Sequence, residues 1–102
     1  MPEISRFYGS NGENRTIMIP RIKHIETLDD YKLLITFDDG LAVCYDVRED
    51  IDAVEDFKSL ETVVGLWQQV KLDSSRTCVY WNDRIDIASD TIYEYGKPVF
   101  SI

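Results

Sequence analysis

The sequence predicts an α+β fold: a small antiparallel sheet built around a central hairpin, with short helices near residues 50–57, 60–69 and 90–95. Three observations carry this. Apolar residues alternate from Tyr31 to Phe37 and, after Asp-Asp-Gly, from Leu41 to Val47; Leu60, Val63, Val64 and Trp67 follow an i, i+3, i+4, i+7 stripe; and the cap residues Ser89 and Gly96 bracket a one- or two-turn stretch, Asp90 to Tyr95.

The hairpin is YKLLITFDDGLAVCYDV. A two-residue Asp39-Gly40 turn would pair Phe37 with Ala42 and set its two apolar rows on opposite faces. A three-residue loop, Asp38 to Gly40, pairs Phe37 with Leu41, Ile35 with Val43 and Leu33 with Tyr45. All eight large side chains then share one face, as a one-sided core demands. The longer loop needs Gly40 in the left-handed region, where the missing Cβ avoids a steric cost.

Ahead of the hairpin, residues 1–16 read as a flexible leader, since Gly9 to Thr16 (GSNGENRT) is polar with two glycines, and residues 17–102 read as one domain. A first strand is expected over Arg21 to Leu28. Its pattern is imperfect, because simple alternation puts Ile22 and Leu28 on a face with His24 and Glu26. Asp29-Asp30 turns it into the hairpin, and the short connections specify an antiparallel meander.

After Val47 the period changes. Asp50 is expected to cap a helix that buries Ile51 and Val54. In the 60–69 helix, Ser59 is the N-cap, Glu61 favours the dipole, and Gly65 lies off the stripe as a tolerated residue costing about 1 kcal/mol relative to Ala. Val70 and Leu72 alternate in a short strand, Asp73 to Ser75 turns, and Thr77, Val79 and Trp81 continue as a strand with Cys78 and Tyr80 behind. Asn82-Asp83 breaks it, and Ile85 and Ile87 form a brief strand. Ser89 caps the last helix, Gly96 closes it, Pro98 stops it, and Val99 to Ile102 is expected to dock as an edge strand.

The 102 residues suffice to bury roughly 60–65% of the unfolded surface without disulfides or metal. No apolar run approaches the ~18 residues of a membrane span, and the N-terminus lacks a secretory signal, so a cytoplasmic location is expected. The cysteines, Cys44 and Cys78, are not ligand-spaced and read as ordinary thiols of a reducing compartment. The formal charge of −8 is concentrated: Asp29 to Glu61 holds eleven acidic residues against Lys32, Arg48 and Lys58, while the rest of the chain balances. Such a belt repels phosphate backbones, so direct nucleic-acid binding is not expected. A solvated acidic face or a basic partner fits it.

Pro20-Arg21-Ile22 before LDDYKLLITFDDG, then YDV, LWQQVKLD and above all WNDRIDIASDTIYEYG resemble the bacterial family called domain of unknown function 2442 over about residues 19–96. Its most specific part falls on Trp81, Asn82, Ile85, Asp86, Ile87, Asp90, Ile92, Tyr93 and Glu94. The resemblance implies a small α+β fold and no established activity. Some relatives continue into a helix-turn-helix, for which this chain has no room, and that weakens a carried-over regulator role. Separately, MPEISRFYG, residues 1–9, resembles the opening of domain of unknown function 4160. A remnant of a partner or fused unit and an unrelated terminus both account for it.

Chemistry-bearing constellations are sparse. Asp46, Glu49, Asp50 and Asp52 crowd together without the turning glycine of a calcium loop, and zinc lacks clustered Cys and His, so no metal or other cofactor is expected. His24, the only histidine, sits on an early strand and reads as a packed or edge-strand residue. Asp83, Asp86 and Asp90 are close in sequence, but turn and helix-start roles explain each of them. The aromatics Tyr80, Trp81, Tyr93, Tyr95 and Phe100 gather in the C-terminal half, and Tyr and Trp are enriched at interface centres. The expectation is a non-enzymatic module that binds a protein partner or forms a homodimer through those residues. Its rivals are an accessory or antitoxin-like component of a bacterial regulatory operon, and a small enzyme using the three aspartates.

Overall fold

The structure, a computed structural model, describes residues 19–99; the expected leader over 1–16 and the terminal residues 100–102 lie outside that range. The α+β expectation holds, with the strands divided between two antiparallel sheets. The first has the order β1 (Ile22–Leu28), β2 (Lys32–Phe37), β3 (Ala42–Asp46), β7 (Lys97–Pro98) and the second β4 (Lys71–Leu72), β5 (Cys78–Asn82), β6 (Ile85–Ala88).

β2 (Lys32–Phe37) and β3 (Ala42–Asp46) form the central hairpin in the register that burial required, Leu33 opposite Tyr45 and Ile35 opposite Val43. The Phe37 N–H donates to the Leu41 carbonyl at 2.8 Å, and the Gly40 N–H donates back to Phe37 at 2.9 Å. Gly40 has φ +94°. Six of the eight large side chains are buried, and Tyr31 and Leu41 pack against the core they form.

β1 (Ile22–Leu28) resolves its own imperfect pattern with a bulge. Ile22 pairs with Phe37, but His24 pairs with Thr36, so Lys23 is an extra residue and parity flips after it. Ile22 and Ile25 consequently face the core opposite Phe37 and Ile35, while His24 and Glu26 are exposed. This corrects the simple alternation. The meander then passes through a tight turn at Asp29–Tyr31, where Asp30 and Tyr31 both have positive φ, 62° and 60°.

The helical middle is more broken than its periodicity suggested. α1 (Arg48–Ala53) starts before Asp50, and Asp46 takes the local role by accepting the Arg48 N–H at 2.9 Å. Asp50 instead accepts the Tyr45 hydroxyl at 2.8 Å. Ile51 is buried as expected, whereas Val54 is extended and exposed, and a 3-10 turn at Glu55–Lys58 buries Phe57 in its place. The 60–69 stretch is helical only at its ends, in α2 (Ser59–Thr62) and a 3-10 turn at Trp67–Gln69. Val63 is extended and Gly65 has φ +82°, so Gly65 is required by a turn rather than tolerated in a helix. Lys58 rather than Ser59 holds the N-cap position of α2, and it makes no side-chain capping bond.

In the second sheet, β4 (Lys71–Leu72), β5 (Cys78–Asn82) and β6 (Ile85–Ala88) place Val79, Trp81, Ile85 and Ile87 in the same core as the hairpin. Asp73 organises the β4–β5 turn by accepting the Thr77 and Cys78 N–H groups at 3.0 and 3.1 Å. Arg76, at φ 62°, sews the two sheets together. Its carbonyl accepts the Ile22 N–H at 2.8 Å, and its guanidinium donates to both Asp38 carboxylate oxygens at 2.7 and 2.9 Å.

α3 (Ser89–Tyr95) buries Ile92 against the first sheet. The expected Ser89 cap is not made; its hydroxyl is buried without a partner, and Asp90 accepts the Thr91 N–H at 2.9 Å. Gly96 has an ordinary extended φ of −68°, and its role is clearance, since a Cβ there would lie 2.7 Å from both the Ile92 carbonyl oxygen and a Val43 methyl. The edge strand arrives slightly earlier than expected, as β7 (Lys97–Pro98) beside β3, with the Val99 N–H donating to Ala42 at 2.8 Å. Pro98 is tolerated there because an edge strand has a side that needs no donor.

Candidate functional site

The aromatic residues expected to share a surface are spread over the molecule. Trp81 is only 3% exposed, in the core, because it alternates with Tyr80 on β5 and Tyr80 points to the opposite face. Tyr93 is 38% exposed, packs edge-on against Phe37 at 4.8 Å and donates its hydroxyl to Asp39 at 2.6 Å. That bond pins α3 to the hairpin loop, lowers the Asp39 carboxyl and raises the phenol above its ordinary value. Tyr95 is 70% exposed, and Phe100 lies outside the described residues.

Asp83, Asp86 and Asp90 are all exposed. No group of three or more His, Cys, Asp or Glu among the described residues is arranged to hold a metal. Cys44 and Cys78 are free thiols on different sheets, and burial pushes Cys78 above its ordinary value, away from a reactive thiolate.

What the fold does bring together is a cleft of about 420 Å³ between the β1–β2 turn and the loop after α2. None of the three aspartates lines it. Tyr31 and Trp67 line it, with the buried Trp81 behind them in an aromatic column. Tyr31 meets Trp67 edge to face at 5.2 Å, and Trp67 stacks on Trp81 at 5.6 Å with 19° between planes. Two indole bonds lock the column, Trp81 Nε1 donating to the Trp67 carbonyl at 2.9 Å and Trp67 Nε1 to the Leu28 carbonyl at 3.3 Å. Arg48 caps it from outside, 5.1 Å from the Tyr31 ring centroid, while reaching Glu61 at 3.4 Å.

Three carboxylates, Asp29, Asp30 and Glu61, line the cleft and no Lys or Arg does. Its lip is apolar: Val63 is 50% exposed and Val64 fully exposed. The lip is held in shape, since the Leu66 N–H donates to the Val63 carbonyl at 3.1 Å across the turn that Gly65 permits. The helical spacing of Val63 and Val64 in the sequence conceals this loop, since Val63 is extended and Gly65 has positive φ. Two β-branched residues directly before a glycine were the available signal for a turn.

Two antiparallel sheets with short helices, closed over one core and carrying a braced acidic cleft, define a small α+β domain. The family model of a protein of unknown function, domain of unknown function 2442, matches residues 22–98, and the chain belongs to that family. The match covers both sheets and the cleft and leaves out residues 1–9. No curated protein and no solved structure matched the chain.

Proposed function

We propose that this chain is a non-enzymatic protein-interaction module of the bacterial cytoplasm. The observation that carries the reading is the Val63-Val64 lip, two large apolar side chains displayed in water on a hydrogen-bonded turn backed by the tryptophan column. Burying a Val side chain is worth about 1.5–3 kcal/mol, so a partner covering this lip gains affinity without having to order it first. No helix among the described residues is long and apolar enough to cross a membrane.

The test is affinity purification from the source organism with the wild-type chain and with Val64→Asp. A partner retained by the wild type and lost by the variant supports the module. Recovery of the chain alone, together with a clean monomer by light scattering at high concentration, overturns both the partner and the homodimer versions. The acidic excess favours a second reading, an accessory or antitoxin-like operon component that neutralises a basic protein. It is distinguished by whether the recovered partner is encoded beside this gene.

A further inference from the structure

We infer that the cleft between the β1–β2 turn and the α2–Trp67 loop docks an extended segment of a partner protein that carries Lys or Arg next to an aliphatic side chain. The inference rests on the protein-binding reading above and specifies its site and partner chemistry. Two independent features of the cleft meet in that ligand. Asp29, Asp30 and Glu61 line it, no Lys or Arg among the described residues does, and the one ion pair Glu61 makes with Arg48 leaves the lining net negative, so the cleft attracts a cation. Val63, half exposed, and Val64, fully exposed, stand on its lip, so an aliphatic side chain beside that cation completes the contact.

Charge also decides among the occupants. A second copy would bring its own net charge of −8 to an acidic cleft, and nucleic acid or an anionic membrane would bring phosphates; each is repelled. A basic, aliphatic segment of another protein is the class that both the carboxylates and the valines favour. The scaffold is prepared for it, because the indole bonds to Leu28 and Trp67 hold the wall rigid before anything binds.

The experiment is selection of a random 12-residue peptide library on the intact chain, followed by titration of the enriched peptides. Enriched sequences with Lys or Arg beside Val, Leu or Ile are expected. Their affinity should fall at least tenfold in Asp30→Asn/Glu61→Gln, and the remaining binding should lose most of its dependence on salt. Val64→Ser should weaken the same peptides several-fold while leaving the salt dependence unchanged. Asn tolerates the left-handed backbone of position 30, and circular dichroism of each variant verifies the fold. Enrichment of acidic or purely apolar peptides, binding indifferent to both variants, or no enrichment would overturn the inference. In those cases a partner captured in the affinity purification still supports the broader module, so the two failures are distinguishable.

Discussion

Trp81 donates its indole N–H to the backbone carbonyl of Trp67 at 2.9 Å while the two rings stack 5.6 Å apart. The contact joins β5 of the second sheet to the loop that forms the cleft wall. Trp81→Phe keeps an aromatic surface but leaves the Trp67 carbonyl without that donor. An unsatisfied buried acceptor costs about 1–3 kcal/mol, so the urea midpoint should fall accordingly. A change within ±0.5 kcal/mol would mean that the bond does not brace the loop.

Gly65→Ala separates two readings by sign. Within a continuous 60–69 helix, Ala would stabilise by about 0.8–1 kcal/mol. At φ +82° it should destabilise by about 1 kcal/mol or more, even though no described residue beyond its chain neighbours comes within 4 Å of the added Cβ. Chemical denaturation decides between the two outcomes.

Gly40→Ala and Gly96→Ala should both destabilise, for different physical reasons. Position 40 has φ +94° and open space around a Cβ, so its cost, more than about 1 kcal/mol, is conformational. Position 96 has a permissive φ but a Cβ would press on the Ile92 carbonyl oxygen and on Val43, an overpacking cost of about 1–3 kcal/mol. Val43→Ala would remove the methyl at 2.7 Å but leave the Val43 Cβ and the Ile92 carbonyl oxygen close by, so combining it with Gly96→Ala should recover only part of the cost. Strictly additive single-variant costs in the double variant would mean that the Val43 methyl is not part of the clash.

The pH dependence of stability has a defined sign. Asp38 is lowered first by its hydrogen bonds from Arg76, Asp39 by the Tyr93 hydroxyl, and Asp73 by the Ser75 hydroxyl. Groups with lowered folded-state values contribute stability above the ordinary carboxylate range and lose it as pH falls through the folded value. The chain should therefore lose stability below about pH 4. Tyr93 is raised, so its contribution is present below about pH 10 and is lost on further alkalinisation. In Tyr93→Phe the acid loss should become shallower, since Asp39 then has no phenol to accept from. Thermal unfolding between pH 2 and 7 tests this, and an unchanged slope would count against the bond.

The sequence by itself determined the hairpin. Eight large apolar residues and one glycine leave a single register that puts every side chain on one face, and the structure has Ile35 opposite Val43 with Gly40 left-handed. Alternation likewise determined that Val79, Ile85 and Ile87 face inward, and the family motif around Trp81 and Asn82 was legible in the residues. Both kinds of signal are local, set by the two-residue period of a strand or by contiguous motif residues.

Tertiary structure decided the rest. The bulge at Lys23 is chosen by its pairing with β2, since the partner strand dictates which isoleucines of β1 can be buried. The column of Tyr31, Trp67 and Trp81 draws on three separate segments, and only packing tells a tryptophan that closes a core from one that meets a partner. The same holds for Val63 and Val64. Their helical spacing was real, but burial goes to a helix face only where the chain can continue the helix. The turn at Gly65 left these two valines in water at the edge of the cleft.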